Sequence, residues 1–188
     1  MTRAAYRKDA RLFLSGKTLS GEQGLEIRNE TPDDIVAIRA VTKAAFADMP
    51  FSSQTEAEIV DGLRAADAVR LSLVAVARGE VVGNVVFSDV TIDGREGWVG
   101  LGPVSVRPDL QRNGAGSALI REGLSRLQSE GAIGCVLVGD PGYYARFGFK
   151  VVPGLVYEGV PDDYVLALPF TDRPPAGAIK FHPAFEPA

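Results

Sequence analysis

One stretch of the chain carries residues whose types and spacing could do chemistry. Residues 106 to 120, VRPDLQRNGAGSALI, open like the end of a strand, pass through a polar turn holding Gly114 and Gly116, and close as an amphipathic helix. Two glycines cost helix stability, roughly 1 kcal/mol each against alanine in a helix interior. Such a place needs bare backbone, or bends too sharply for side chains. Where a strand passes into a helix, the first backbone N–H groups have no intrahelical partner. Aimed outward, with the helix dipole behind them, they form an anion site. Glycine removes the Cβ that would hold a phosphate away, and Arg107 and Arg112 add local positive charge. Spacing alone leaves two readings open: a phosphate cradle, or a tight turn with no ligand. A dinucleotide fingerprint needs a third glycine where Leu119 stands. A nucleoside-triphosphate loop needs a lysine after the glycine, and neither glycine is followed by one.

Other reactive residue types offer less. His182 is the only histidine and lies near the C-terminus, so a histidine-centred triad is not expected. Cys135, the only cysteine, stands among Gly134, Val136 and Leu137, which reads as an inert buried thiol. It excludes an internal disulfide, and a reducing cytoplasm is the expected compartment. No cluster of histidine, cysteine and acids has metal-ligand spacing, so no metal is expected.

The elements that must position the glycine turn follow from periodicity. Leu25 to Arg28 alternates and reads as a strand. Thr31-Pro32-Asp33-Asp34 reads as a helix start, followed by Ile35, Ile38, Val41 and Ala45 on one face. Pro50 ends that helix. Thr55 to Glu58 matches a capping box, with Ile59, Val60 and Leu63 as a second apolar stripe. Three antiparallel strands follow, Leu71 to Ala77, Val81 to Ile92 and Trp98 to Val106, joined at Arg78-Gly79-Glu80 and Asp93-Gly94. Gly102-Pro103 inside the third strand predicts a bulge or a splayed ladder. A helix with Leu119, Ile120, Gly123, Leu124 and Leu127 on one side leads to a buried strand, Cys135 to Val138. The two strands flanking that helix should be parallel. A short helix over Pro141 to Arg146 and further strands, Val165 to Leu168 the clearest, complete an α+β fold, a mixed sheet flanked by helices.

Composition agrees. The 188 residues suffice for one ordinary domain, and 46% hydrophobic with 23% charged residues is a globular composition. The net charge of -4 gives no basic field for nucleic acid, so any anion site must be local. No apolar run of about 18 residues predicts a membrane helix. Residues 1–24 are expected to be a flexible N-terminal tail, and residues 25–188 a single domain.

Two motifs together resemble the GNAT superfamily of N-acetyltransferases. Gln111-Arg112-Asn113-Gly114-Ala115-Gly116 resembles its acyl-CoA pyrophosphate motif, and follows a strand ending Val104-Ser105-Val106-Arg107-Pro108. Tyr143-Tyr144-Ala145-Arg146-Phe147-Gly148-Phe149 resembles its second motif, a tyrosine four residues before Gly-Phe. The resemblance covers residues from about 25 to 155, and LGPVSVRP, GDPGYYARFGF and KFHPAF are similar to one bacterial subgroup of predicted acetyltransferases with unassigned substrates.

The resemblance implies acetyl transfer from acetyl-CoA to an amine, of a small molecule or a protein, by direct attack in a ternary complex. It implies that the pantetheine arm lies in the splay, bonded by the backbones of Val104 and Val106, with Ser105 between them. An N–H near Val104 would polarise the thioester carbonyl; losing one such donor typically costs ~3 kcal/mol. The N–H groups of Arg112, Asn113, Gly114, Ala115, Gly116 and Ser117 would hold the pyrophosphate. Tyr144 matches the general acid: a thiol has pKa near 8.5 and a phenol about 10, a proton transfer slightly uphill but easy at hydrogen-bond distance. Tyr143 reads as structural. Arg146 reads as a surface charge or a cofactor-phosphate contact. The base is open. An alkyl amine of pKa about 10.4 is only ~0.04% neutral at pH 7, yet Trp98 to Val106 holds no acid, where many members place a glutamate. Glu58 and Asp89 are the candidates, and a weakly basic amine needs none. Two alternatives stand beside transfer: an acyl-CoA-binding regulatory module, and an interaction domain with an empty turn. By analogy alone, the resemblance allows a homodimer with an exchanged C-terminal strand.

Overall fold

The computed structural model describes residues 24–50 and 52–186. The expected tail, apart from Gly24, lies outside the described residues. Strand β1 (Leu25–Asn29) runs into a 3-10 turn (Pro32–Asp34) and helix α1 (Ile35–Phe46). Asp34 fixes that junction. Its carboxylate accepts from the Thr31 N–H at 2.7 Å and from both Arg28 guanidinium nitrogens at 2.6 and 2.9 Å. The guanidinium holds the Asp34 carboxyl well below the usual carboxylate range, against the opposing effect of burial. Ile38, Val41 and Ala45 are buried as the stripe requires, whereas Ile35, the first residue of the helix, is exposed.

Helix α2 (Glu56–Ala65) starts at Thr55 without the expected side-chain cap. Glu58 turns instead to α1, 3.1 Å from Arg39 and 3.8 Å from Lys43. The helix is tied to the sheet by Arg64, which donates to Glu30 at 2.8 and 2.9 Å. Glu30 also accepts from Ser72, which in turn accepts from Asn84 at 3.0 Å. Ser72 and Asn84 are buried and Glu30 and Arg64 half-buried, which makes this chain of bonds costly to break.

Strands β2 (Val69–Ala77), β3 (Glu80–Ile92) and β4 (Arg95–Val106) form an antiparallel meander. Helix α3 (Ala115–Ser129) then crosses to β5 (Gly134–Val138), which pairs parallel with β4. Helix α4 (Pro141–Tyr144) and a 3-10 turn (Ala145–Phe147) precede β6 (Lys150–Val151), β7 (Leu155–Val156), β8 (Val165–Pro169) and β9 (Gly177–Lys180). The main sheet runs β1-β2-β3-β4-β5-β8-β6, and β9 joins the far end of β3 and also β7.

Alternation along the strands divides the core by face. Leu73, Val85, Phe87, Val99 and Leu137 meet Leu119, Ile120, Leu124 and Leu127 of α3. Val74, Val76 and Val86 meet Ile38 of α1 and Val60 and Leu63 of α2. Each of these buried apolar side chains contributes about 1.5–3 kcal/mol. Trp98, Val136 and Val165 are covered by the C-terminal segment through Leu155 and Ile179. The sheet is therefore sandwiched, with the α3 N-terminus delivered beside the end of β4.

Candidate active site

The β4–β5 ladder is only three residues long: Trp98 with Gly134, Val99 with Cys135, Gly100 with Val136. β4 then continues for six residues without β5. The cause is a bulge. Across β3 and β4, Phe87 faces Leu101 and Val85 faces Val104, so two steps on β3 match three on β4. The extra residue falls at Gly102-Pro103, as expected from the sequence. Gly102 has φ 142, a conformation open to glycine, and Pro103 brings no N–H to the ladder. The result is a wedge-shaped gap between β4 and β5.

Backbone direction alternates along β4. The Arg107 N–H donates to Val82 of β3 at 2.8 Å. By that parity the backbone groups of Val104 and Val106 point away from β3, into the gap. The Val106 carbonyl is already taken there by the Gln111 side-chain amide at 3.1 Å, so its N–H is the group left for a ligand. Ser105 is different. Its side chain faces the opposite side of the sheet, 2% exposed, with its Oγ 3.2 Å from the Thr42 Oγ1 of α1.

The glycine turn lies at the open end of this gap. Arg112 has φ 63 and Gly114 φ 93. The first helical bond of α3 runs from the Ala118 N–H to the Gly114 oxygen at 2.9 Å. The N–H groups of Ala115, Gly116 and Ser117 therefore precede the intrahelical ladder, at the positive end of a 15-residue helix. A Cβ on Gly114 would meet nothing within 4 Å, so the backbone there faces open space. The room and the donors fit an anion. One expected contribution differs: Arg107 is bound by Asp109 at 2.8 Å and Glu80 at 3.0 Å, leaving Arg112 as the exposed cation on the loop itself.

The two tyrosines sit side by side on α4. The Tyr144 ring packs against Gly139, the residue after β5, where a Cβ would come within 2.5 Å of it. It lies edge-on to Tyr143 and Phe149 at 4.9 and 5.9 Å between ring centres. Tyr143 has a role that its sequence neighbourhood did not reveal. Its hydroxyl is hydrogen-bonded to Ser117 and would lie 3.7 Å from a Cβ on Gly116. Burial raises its pKa, opposed by that hydrogen bond and by Arg146 and Arg121. Tyr143 thus ties α4 to the first turn of α3.

The candidate bases separate. Asp89 is two-thirds exposed, 3.0 Å from Arg70, and opposite Val99 on the closed half of β4. Glu58 lines a cavity of about 280 Å³ between α1 and α2, with Thr42, Lys43, Phe46 and Glu56. Glu56, not singled out in the sequence, accepts from the Ser52 hydroxyl at 2.7 and 2.8 Å. Thr42 both lines this cavity and bonds Ser105, so the cavity lies one side chain from the splayed strand. His182 accepts from the Ala184 N–H at 3.1 Å and caps a turn. Cys135 is fully buried, and burial pushes its thiol well up. Among the described residues, no group of three or more His, Cys, Asp or Glu could hold a metal ion, and no helix is long and apolar enough to cross a membrane.

Comparison with known proteins gives consistent results. A profile of the acetyltransferase (GNAT) domain matches residues 70–151. The uncharacterized N-acetyltransferase YhbS of Escherichia coli K12 is 37% identical over 127 residues, covering 66% of this chain and 73% of that protein. A GNAT family acetyltransferase from Brucella melitensis, crystallised with acetyl-CoA, superposes with TM-score 0.78 at 50% identity, covering 87% of this chain and 99% of that one. The crystal structure of E. coli YhbS with CoA superposes with TM-score 0.82 at 29% identity, covering 91% and 97%.

Proposed function

Because this chain belongs to the GNAT family of N-acetyltransferases, we propose that it uses the β4–β5 gap to hold acetyl-CoA and passes the acetyl group directly to an amine. The observation that carries this reading is the meeting of three features at one opening: splayed backbone, helix N-terminus and phenol. The relative from B. melitensis supports the donor, since its structure contains acetyl-CoA.

Acetyl-CoA supplies an acyl group activated as a thioester. The Val104 and Val106 backbone groups bond its pantetheine arm and, near Val104, polarise the carbonyl. The N–H groups from Arg112 to Ser117 take the pyrophosphate, where preorganised dipoles need no side-chain reach. The Tyr144 hydroxyl gives its proton to the sulfur as the C–S bond breaks. The acceptor amine approaches from the Ser105 side, through the cavity lined by Glu56 and Glu58. Glu58 already faces two cations; Glu56 is held by a neutral hydroxyl, and is the better placed carboxylate to receive the amine proton. The proposed compartment is the cytoplasm, in keeping with a single cysteine and no possible internal disulfide.

Calorimetry of acetyl-CoA binding tests the reading, with Gly114→Trp beside the wild type and circular dichroism to check folding. Micromolar binding that the tryptophan abolishes is expected (about -8 kcal/mol). A folded wild type that binds no acetyl-CoA refutes it.

A further inference from the structure

Half of the twelve arginines among the described residues are committed to carboxylates: Arg28, Arg39, Arg64, Arg70, Arg107 and Arg126 each hold one. Arg121 and Arg146 are not. Among the described residues, neither has a carboxylate oxygen within 4.0 Å. They come together instead along a cleft of about 400 Å³ between α3 and the 3-10 turn after α4, which Ser125, Gln128, Phe147 and Phe170 also line. Aromatic faces hold both guanidinium groups in place. Arg121 lies over Phe147 at 5.3 Å and Arg146 over Tyr143 at 4.6 Å. Arg146 is further fixed by its Nε, which donates to the Tyr143 carbonyl at 2.9 Å.

The pair stands next to the phosphate cradle. Both positive charges act on the Tyr143 hydroxyl, the group that is hydrogen-bonded to Ser117 beside Gly116. Arg121 begins seven residues after Gly114, about 10 Å down the helix, and helical side chains lean back toward the N-terminus. Two unpaired planar forks, oriented by stacking, suit a phosphate monoester, which carries about -1.5 to -2 charge at neutral pH.

We propose that Arg121 and Arg146 form a second anion site that reads the ribose 3′-phosphate of coenzyme A. The inference rests on the acetyl-CoA reading above. Coenzyme A carries this monoester one ribose away from its pyrophosphate, so the cradle and the arginine pair take the two anionic parts of one molecule. The chain then selects coenzyme A over its 3′-dephospho form.

Calorimetry with CoA and with 3′-dephospho-CoA tests this on wild type, R121Q, R146Q and the double variant. The wild type should bind CoA at least about tenfold more tightly, the effect of roughly 1.4 kcal/mol. Each single variant should lose part of that preference. The double variant should bind the two ligands alike, by losing CoA affinity rather than by gaining dephospho-CoA affinity. Equal binding of the two ligands by the wild type overturns the inference and leaves the acetyl-CoA reading standing. So does a preference that survives in the double variant. A wild type that binds neither ligand overturns the acetyl-CoA reading itself, and this inference with it. The wild-type comparison needs no variant to fold.

Discussion

Replacing Tyr144 with phenylalanine removes one oxygen and leaves a ring that its neighbours hold in place. Gly139, Tyr143 and Phe149 all contact that ring through carbon, so the pose should survive. The loss then isolates the proton. A leaving thiolate accepts from an ordinary phenol across about 1.5 pKa units, roughly 2 kcal/mol uphill. Water, with a pKa of about 15.7, is a far weaker donor. A positioned acid is worth about 10²–10⁴ in rate. The expected result is therefore a fall of about 10²–10⁴ in kcat, with less than about twofold change in acetyl-CoA affinity. The assay follows CoA thiol release with a chromogenic thiol reagent, with an amine acceptor from a screen and, separately, with water as acceptor. Cys135 is fully buried and adds no background. A kcat within about threefold of wild type would refute the reasoning, since the phenol would then not be the proton donor.

Three further outcomes follow from the packing. Gly123→Ala places a Cβ 2.3 Å from the Cε2 of the fully buried Phe87, so urea denaturation should show a loss of about 1–3 kcal/mol. Asp34→Asn should cost about 1–2 kcal/mol at pH 7 by removing the Arg28 partner. The Asp34 pKa is lowered on folding, so its contribution is full above the unfolded value of about 3.9 and fades as pH falls below it. The gap between wild type and variant should close in acid, and a constant gap from pH 7 to pH 3 would contradict the assignment. Cys135 should resist thiol reagents in the native protein and react on denaturation, because burial raises its pKa; fast native labelling counts against it.

The sequence was most legible where local chemistry decides. The strand-helix-strand order around α3 foretold the parallel pair, and Gly102-Pro103 foretold the splay, because bulges and crossovers follow from nearby residues. It was least legible where partners are distant in the chain. Arg107 looked free for a phosphate, yet Glu80, 27 residues earlier, claims it. Glu58 looked like half of a capping box, yet Arg39 on another helix competes for it. Tyr143 read as structural from its neighbours, and only the fold brings its hydroxyl to Ser117. β7 and β9, at two and four residues, are too short to show a period. For Arg107 and Glu58 an inter-element ion pair outweighed a local preference.

The separation of β4 from β5 also bears on how the protein keeps to itself. A strand that leaves its neighbour exposes an edge of unpaired backbone groups, the kind of surface on which foreign chains add strands and aggregate. Here the edge lies beside the N-terminus of α3. The bulge at Gly102-Pro103 breaks its register. A polypeptide strand arriving from outside meets an irregular row it cannot match. Only a thin chain with sparse amides can line up there. The irregularity that opens a place for a ligand therefore also protects the sheet from sticking to its own kind.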